Sequence, residues 1–217
     1  MSQPREAMLQ IAAVLALLVA NSSAALADCR AEVEVAFQKL QMPGRAYRRV
    51  TTMTSIVHVA DTRGFQVFRE TVEFILPDRK RRTLDYVGDQ PSSEWIRVGE
   101  RTCVHEGQQW LEGYVWMDKD IFLSGVWSHR MSFECLGAVV FEGKAYTGYG
   151  ANDPTTVTIV VGLGEAGPKL RRTILVDGQT GLPMYEIFAD ASQLDSPIWK
   201  IQYTYPRDII TIEPPVR

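Results

Sequence analysis

The chain runs to 217 residues, with 46% hydrophobic side chains, 23% charged ones and a formal net charge of −3. So small a net charge gives no sign of a polyanion binder, and no nucleic-acid partner is expected. Three cysteines with no CxxC pair among them argue against redox catalysis.

Residues 1–27 read as a cleavable signal peptide: Arg5 near the start, an apolar run from Ile11 to Ala20, then Ala25-Leu26-Ala27 as a small-residue cleavage site. The mature chain then begins at Asp28, outside the cytoplasm, and residues 28–217 suit one domain. Ten apolar residues are too few to cross a bilayer, which takes about 20 in a helix. Asp28 stands where a lipoprotein cleavage site needs a small neutral residue, so no lipid anchor is expected on Cys29.

From Asp28 to Leu40 the residues Val33, Ala36, Phe37 and Leu40 recur at helical spacing, and Pro43-Gly44 ends the pattern. Period-two alternation follows, predicting strands over Tyr47 to Val59, Phe65 to Leu76, Arg81 to Val87, Glu94 to Val98 and Thr102 to His105. The pattern resumes over Ala138 to Tyr149, Thr155 to Val161, Leu170 to Val176, Leu182 to Ala189 and Trp199 to Tyr205. Short Gly, Pro and Asp connections make neighbours antiparallel. Between the two sets, Met117 to Phe133 predicts a long loop with a helical turn or two, read either as a lid or as a connector packed at the sheet edge. The expected class is mainly β (α+β), one antiparallel sheet of about eight to eleven strands that curls, with the N-terminal helix on one face.

Catalytic and metal signals are weak. Gly162 to Gly167 matches GxGxxG, but Pro168 and an extended run follow where a phosphate-binding helix belongs, so no cofactor is assigned. Cys103-Val104-His105 puts two ligand types on one strand face without further ligands, and Ser128-His129 are adjacent with no GxSxG. No catalytic residue or metal site is therefore nominated. Arg48-Arg49 and Arg79-Lys80-Arg81-Arg82 read as rim or turn charges, able to steer anionic headgroups or, more simply, solvated.

A resemblance joins these features. Asp28-Cys29-Arg30 at a helix start, the meandering strands, Leu175-Val176-Asp177, Thr180-Gly181-Leu182-Pro183, Gln202-Tyr203-Thr204-Tyr205 and Ile212-Glu213-Pro214-Pro215 together resemble the LolA/LolB/LppX-like set of bacterial periplasmic proteins. That resemblance implies a periplasmic location and a strongly curved antiparallel sheet forming an incomplete β-barrel. A helix and a plug or lid segment would fill its concave side, with space for acyl chains between. It also implies a Cys29–Cys135 disulfide with Cys103 free, where spacing alone leaves three pairings open.

On the strand from Phe65 to Leu76, Phe68, Val72 and Phe74 share one face, and Trp95, Trp110, Trp116 and Trp127 add large apolar surfaces. These seven residues are the expected lining of an apolar cavity, although the same residues fit a filled core equally well. The leading expectation is a non-enzymatic carrier of lipid or an acylated protein, in transient contact with the membrane or envelope proteins. The runner-up is an envelope structural or assembly protein with a filled core and no lipid cargo.

Overall fold

The computed structural model describes residues 29–53, 59–60, 66–88, 91–106, 108–112, 132–153, 170–190, 196–207 and 211–215. The expected leader, the strand over Thr155 to Val161, the glycine-rich loop from Gly162, Trp116 and Trp127 lie outside these residues, as does all of the Met117 to Phe133 segment except its last two positions.

The helix α1 spans residues 29–40. Cys29, Val33, Ala36, Phe37 and Leu40 form its buried stripe, as the spacing predicts, while Arg30 and Glu34 pair on its outer face at 2.7 Å. Twelve residues are too few for a helix to persist alone in water, so α1 depends on that stripe being covered. The chain turns out of it through Gly44, whose φ of 77° suits a residue without a Cβ.

Twelve strands follow: β1 (Ala46–Met53), β2 (Val59–Ala60), β3 (Gln66–Ile75), β4 (Arg79–Tyr86), β5 (Ser93–Val98), β6 (Arg101–Glu106), β7 (Gln109–Glu112), β8 (Glu134–Phe141), β9 (Lys144–Asp153), β10 (Leu170–Val176), β11 (Pro183–Asp190) and β12 (Pro197–Thr204). They form one antiparallel sheet in the order β7-β6-β5-β4-β3-β1-β12-β11-β10-β9-β8, with the short β2 beside β3. The sheet curves around α1 without closing, since β7 and β8 end the order and do not pair with each other.

Two runs divide differently from the sequence reading. The expected strand over Tyr47 to Val59 is described as β1 up to Met53 and as β2 from Val59, with 54–58 outside the described residues. The run from Ala138 to Tyr149 is a hairpin, β8 and β9, folded at Glu142-Gly143, both at positive φ (49° and 78°). That pair of angles is the tight two-residue turn whose twist matches the flanking strands.

Register separates the sheet into two sides. Tyr47, Arg49, Thr51 and Met53 on β1 stand opposite Phe74, Val72 and Glu70 on β3 and opposite Tyr203, Ile201 and Trp199 on β12. This is the side that α1 covers: Phe37 meets Tyr203 edge-on at 6.1 Å, and the helix stripe shares a core with Val72, Phe74, Tyr149, Ile174, Ile201 and their neighbours. A second apolar cluster, Val67, Leu84 and Tyr86 with Trp95 packed against it, lies on the same side over β3 to β5. The outer side carries a third, built on Tyr146, Leu175 and Tyr185.

Candidate functional site

A disulfide joins Cys29, the first described residue of α1, to Cys135 on β8, with Cα atoms 5.5 Å apart. This is the pairing that the family resemblance implied, and Cys103 is free and buried. At the other end of the helix the Lys39 ammonium donates to the Thr180 carbonyl at 3.2 Å, beside the β10–β11 turn. Glu32, between them, accepts a 2.5 Å hydrogen bond from the Tyr149 hydroxyl; burial first, then this carboxylate, raises the phenol pKa. The helix is thus fixed along its length across β8 to β11.

Beneath it the helix side is not uniformly apolar. Arg82 (β4), Glu70 (β3), Arg49 (β1), Tyr203 (β12), Glu186 (β11) and Arg172 (β10) lie on six neighbouring strands and are all buried. Glu70 accepts from Arg82 Nε at 2.7 Å and from Arg49 Nη2 at 3.2 Å. Glu186 accepts from the Tyr203 hydroxyl and from Arg172. Each guanidinium also faces an aromatic ring: Arg49 with Phe74, Arg82 with Trp95 and Arg172 with Phe188, at 5.4 to 5.9 Å. Pairing and ring contact together offset the desolvation that an isolated buried charge would suffer. Burial, more than the nearby Glu186, drives the Tyr203 phenol pKa far upward, so it stays a hydrogen-bond donor.

This belt corrects the expectation that the arginine pairs sit on rims or turns. Arg49 and Arg82 are interior, whereas Arg48 and Arg81 stand on the outer side around Glu73, Arg48 Nη2 at 2.6 Å and Arg81 Nη1 at 3.6 Å. Arg79 reaches the C-terminal segment, donating to the Ile212 carbonyl at 3.1 Å and pairing with Glu213. The cause is strand phase: within a strand, successive side chains alternate sides, so a doublet of arginines must place one on each. Glu70 was readable in the same way, being in phase with Val72 and Phe74 on β3.

Among the described residues, two further polar atoms on the helix side, Thr51 Oγ1 and Trp199 Nε1, are buried and have no hydrogen-bond partner. Thr51 is opposite Ile201 and Trp199 is opposite Met53, so they are diagonal neighbours on adjoining strands. Buried donors without an acceptor are rare in folded chains and call for an explanation.

Of the residues expected to line a cavity, Val72 and Phe74 belong to the core under α1, and Trp95 joins the second cluster on the same side. Phe68 lies in β3, and its side chain is outside the description. Trp110 is on the outer side, where His105 faces it and a shallow pocket of about 330 Å³ is lined by Trp110, Cys103, Gln109 and Pro215. Of the expected lining residues, Val72, Phe74 and Trp95 are therefore brought together on one side, and Trp110 is on the other. Among the described residues no three His, Cys, Asp or Glu side chains gather as a metal site, and no helix is long and apolar enough to cross a membrane.

The same architecture occurs in known proteins. Lipoprotein LppX of Mycobacterium tuberculosis superposes with a TM-score of 0.53 at 14% identity, over 86% of this chain and 98% of that one. LprF of Mycobacterium bovis gives 0.55 at 12% identity, over 88% and 98%. The fold is LppX-like. A LolA-superfamily protein of Nitrosomonas europaea aligns more remotely, at a TM-score of 0.31 and 10% identity over 84% of this chain and 97% of that one. No family model matches the sequence, and no curated protein does. The LppX-like likeness therefore rests on the open sheet and its helix rather than on shared residues, and it carries architecture without assigning a task.

Proposed function

We propose that this chain is an exported, non-enzymatic carrier that works in the periplasm and receives the acyl chain of a lipid or acylated protein on the helix side of its sheet. In this reading residues 1–27 are removed on export and residues 28–217 act as one domain. The observation that carries it is the pair of buried donors, Thr51 Oγ1 and Trp199 Nε1, on the same side as the apolar cluster of Val67, Leu84, Tyr86 and Trp95. An acyl chain has the complementary character, an oxygen acceptor at one end and methylenes behind it. Thr51 is two strands from Leu84 through Glu70, roughly 10 Å at the usual strand spacing, a distance that several methylenes span. Each buried methylene contributes about 0.8 kcal/mol, so affinity grows with chain length and chemical selectivity sits at the donors. Phe68, Val72, Phe74 and Trp95 remain the proposed wall, and transient contact with the membrane or an envelope protein would deliver the cargo.

The test is titration of the purified chain with oleate, with methyl oleate and with an alkene of equal length. Oxygen-bearing ligands should bind more tightly than the alkene. Thr51→Val and Trp199→Phe, which remove the donors and keep the bulk, should each weaken the oxygen-bearing ligands by about 5- to 10-fold, the worth of one hydrogen bond, and leave the alkene unchanged. Absence of any acyl ligand in organic extracts of natively purified protein, together with no uptake of a fluorescent fatty acid, would discard the reading. That result would favour an envelope assembly protein with a filled core, which the direct packing of Phe37 on Tyr203 already suits.

A further inference from the structure

Among the described residues β8 is the last strand on one side of the sheet, and it is unlike a protected edge. β8 reads Glu-Cys-Leu-Gly-Ala-Val-Val-Phe, with neither proline nor lysine, and most of it is exposed: Val140 is 74% accessible and Leu136 37%. Exposed apolar edges of this kind are templates for another strand, which is why proteins ordinarily interrupt them with charge, proline or a covering element. The tight turn at Glu142-Gly143 fixes which backbone groups point outward. Phe141 and Lys144 flank it as a hydrogen-bonded pair, so Val139 with Tyr146 is the next such pair. Val140 and Ala138 fall between these pairs and turn their N–H and C=O groups away from β9, toward the open edge.

We propose that β8 pairs antiparallel with β8 of a second copy of this chain, about a two-fold axis through Val139. The occupant follows from the strand's own symmetry. A register irregularity separates Cys135 from Gly137, so the regular stretch is Gly137 to Phe141, and its midpoint is Val139. A dyad there sets Ala138 opposite Val140 of the second copy, so that outward-facing backbone groups meet outward-facing ones. It sets Val139 against itself and Gly137 opposite Phe141, an aromatic ring laid over a glycine that has no side chain of its own to pack. It also brings Glu134 toward the hairpin end that carries Lys144. Moving the axis one residue, to Ala138, would oppose Glu134 and Glu142 instead, two carboxylates. On the outer side Val139 and Phe141 already pack against the cluster of Tyr146, Leu175 and Tyr185, and the dyad continues that apolar surface from one copy into the next. A closed two-fold contact of this kind is isologous and stops at two copies.

Sedimentation velocity of the purified chain over a wide concentration range tests this directly. The expected result is a reversible monomer–dimer equilibrium, lost on Val140→Lys with the melting temperature unchanged, and untouched by Leu111→Lys on the opposite edge strand, β7. V139C should form an intermolecular disulfide under mild oxidation, because its two copies face each other across the axis. A chain that stays monomeric throughout, or a dimer that survives Val140→Lys, would overturn the proposal. A dimer in which V139C does not cross-link would overturn the register. None of these readouts involves acyl ligands, so they stand or fall apart from the carrier reading.

Discussion

Glu70 and Glu73 stand three residues apart on β3, each between two arginines, yet on opposite sides of the sheet. Glu70→Gln leaves Arg49 and Arg82 facing a neutral amide in a dry interior, and removing one partner of a buried ion pair costs about 3 to 5 kcal/mol. Glu73→Gln acts among arginines that are a third exposed, where the loss is about 1 kcal/mol or less. Urea unfolding of the two variants measures the contrast, and equal losses would erase the distinction drawn between the two sides. Asp177 works differently. The Thr180 amide first, then the Lys144 ammonium, hold its carboxyl down to about 2, and it ties the β10–β11 turn through Thr180 N, Thr180 Oγ1 and Gln179 N at 2.9 to 3.1 Å. Because the folded value is depressed below the unfolded one near 4, the ion contributes stability above about pH 4 and loses it as pH falls toward 2. Asp177→Asn should therefore flatten the acid limb of the stability curve by about 1 to 2 kcal/mol, read from unfolding at pH 5 and pH 2.5. At this scale the sequence held a usable sign: a charged residue in the apolar phase of a strand, as with Glu70, Arg172 and Glu186. It held no sign of the partner, because Arg49 meets Tyr203 only after the two ends of the sheet come together.

The helix was legible because its stripe, its polar face and its Pro43-Gly44 terminator agree, and the strands because alternation is strong where one side is buried. The β8–β9 hairpin was not, since β-branched and aromatic residues run almost unbroken through Glu142-Gly143 and the turn takes only two residues. Its packing has a consequence: a Cβ on Gly148 would come within 2.4 Å of Val139 Cγ2. Gly148→Ala should then cost about 1 to 3 kcal/mol by forcing β8 off β9, while Gly178→Ala, with open space around it, serves as the control in thermal melts. The disulfide binds α1 to that same hairpin across 106 residues of sequence, a loop whose closure is worth about 4 to 5 kcal/mol in the entropic account. Reduction should lower the melting temperature by roughly 10 °C or more, and an unchanged melt under reductant would mean that packing alone retains the helix.

Taken whole, the sheet is two meanders, β3 to β7 and β8 to β11, joined where β1 pairs with β12 over Arg48 to Met53 and Trp199 to Thr204. That seam links the first strand to the last, and Ile201, opposite Thr51, is buried within it. Ile201→Ala should cost about 2 to 5 kcal/mol in equilibrium unfolding, as for other buried truncations, and a loss below 1 would mean that the meanders are stable apart. No local pattern announces the seam. The resemblance implied an incomplete barrel without saying which strands join, whereas turns and alternation made each meander readable. Chain order adds a constraint on the thiols. Cys103 is nearer than Cys135 to Cys29 in sequence, so it is the competing mate. Cys103 lies in β6, between Ile96 on β5 and Glu112 on β7, and is buried, with Pro215 of the C-terminal segment beside it. In the folded chain the alternative mate is thus shut away inside the opposite meander, and Cys29 reaches only Cys135.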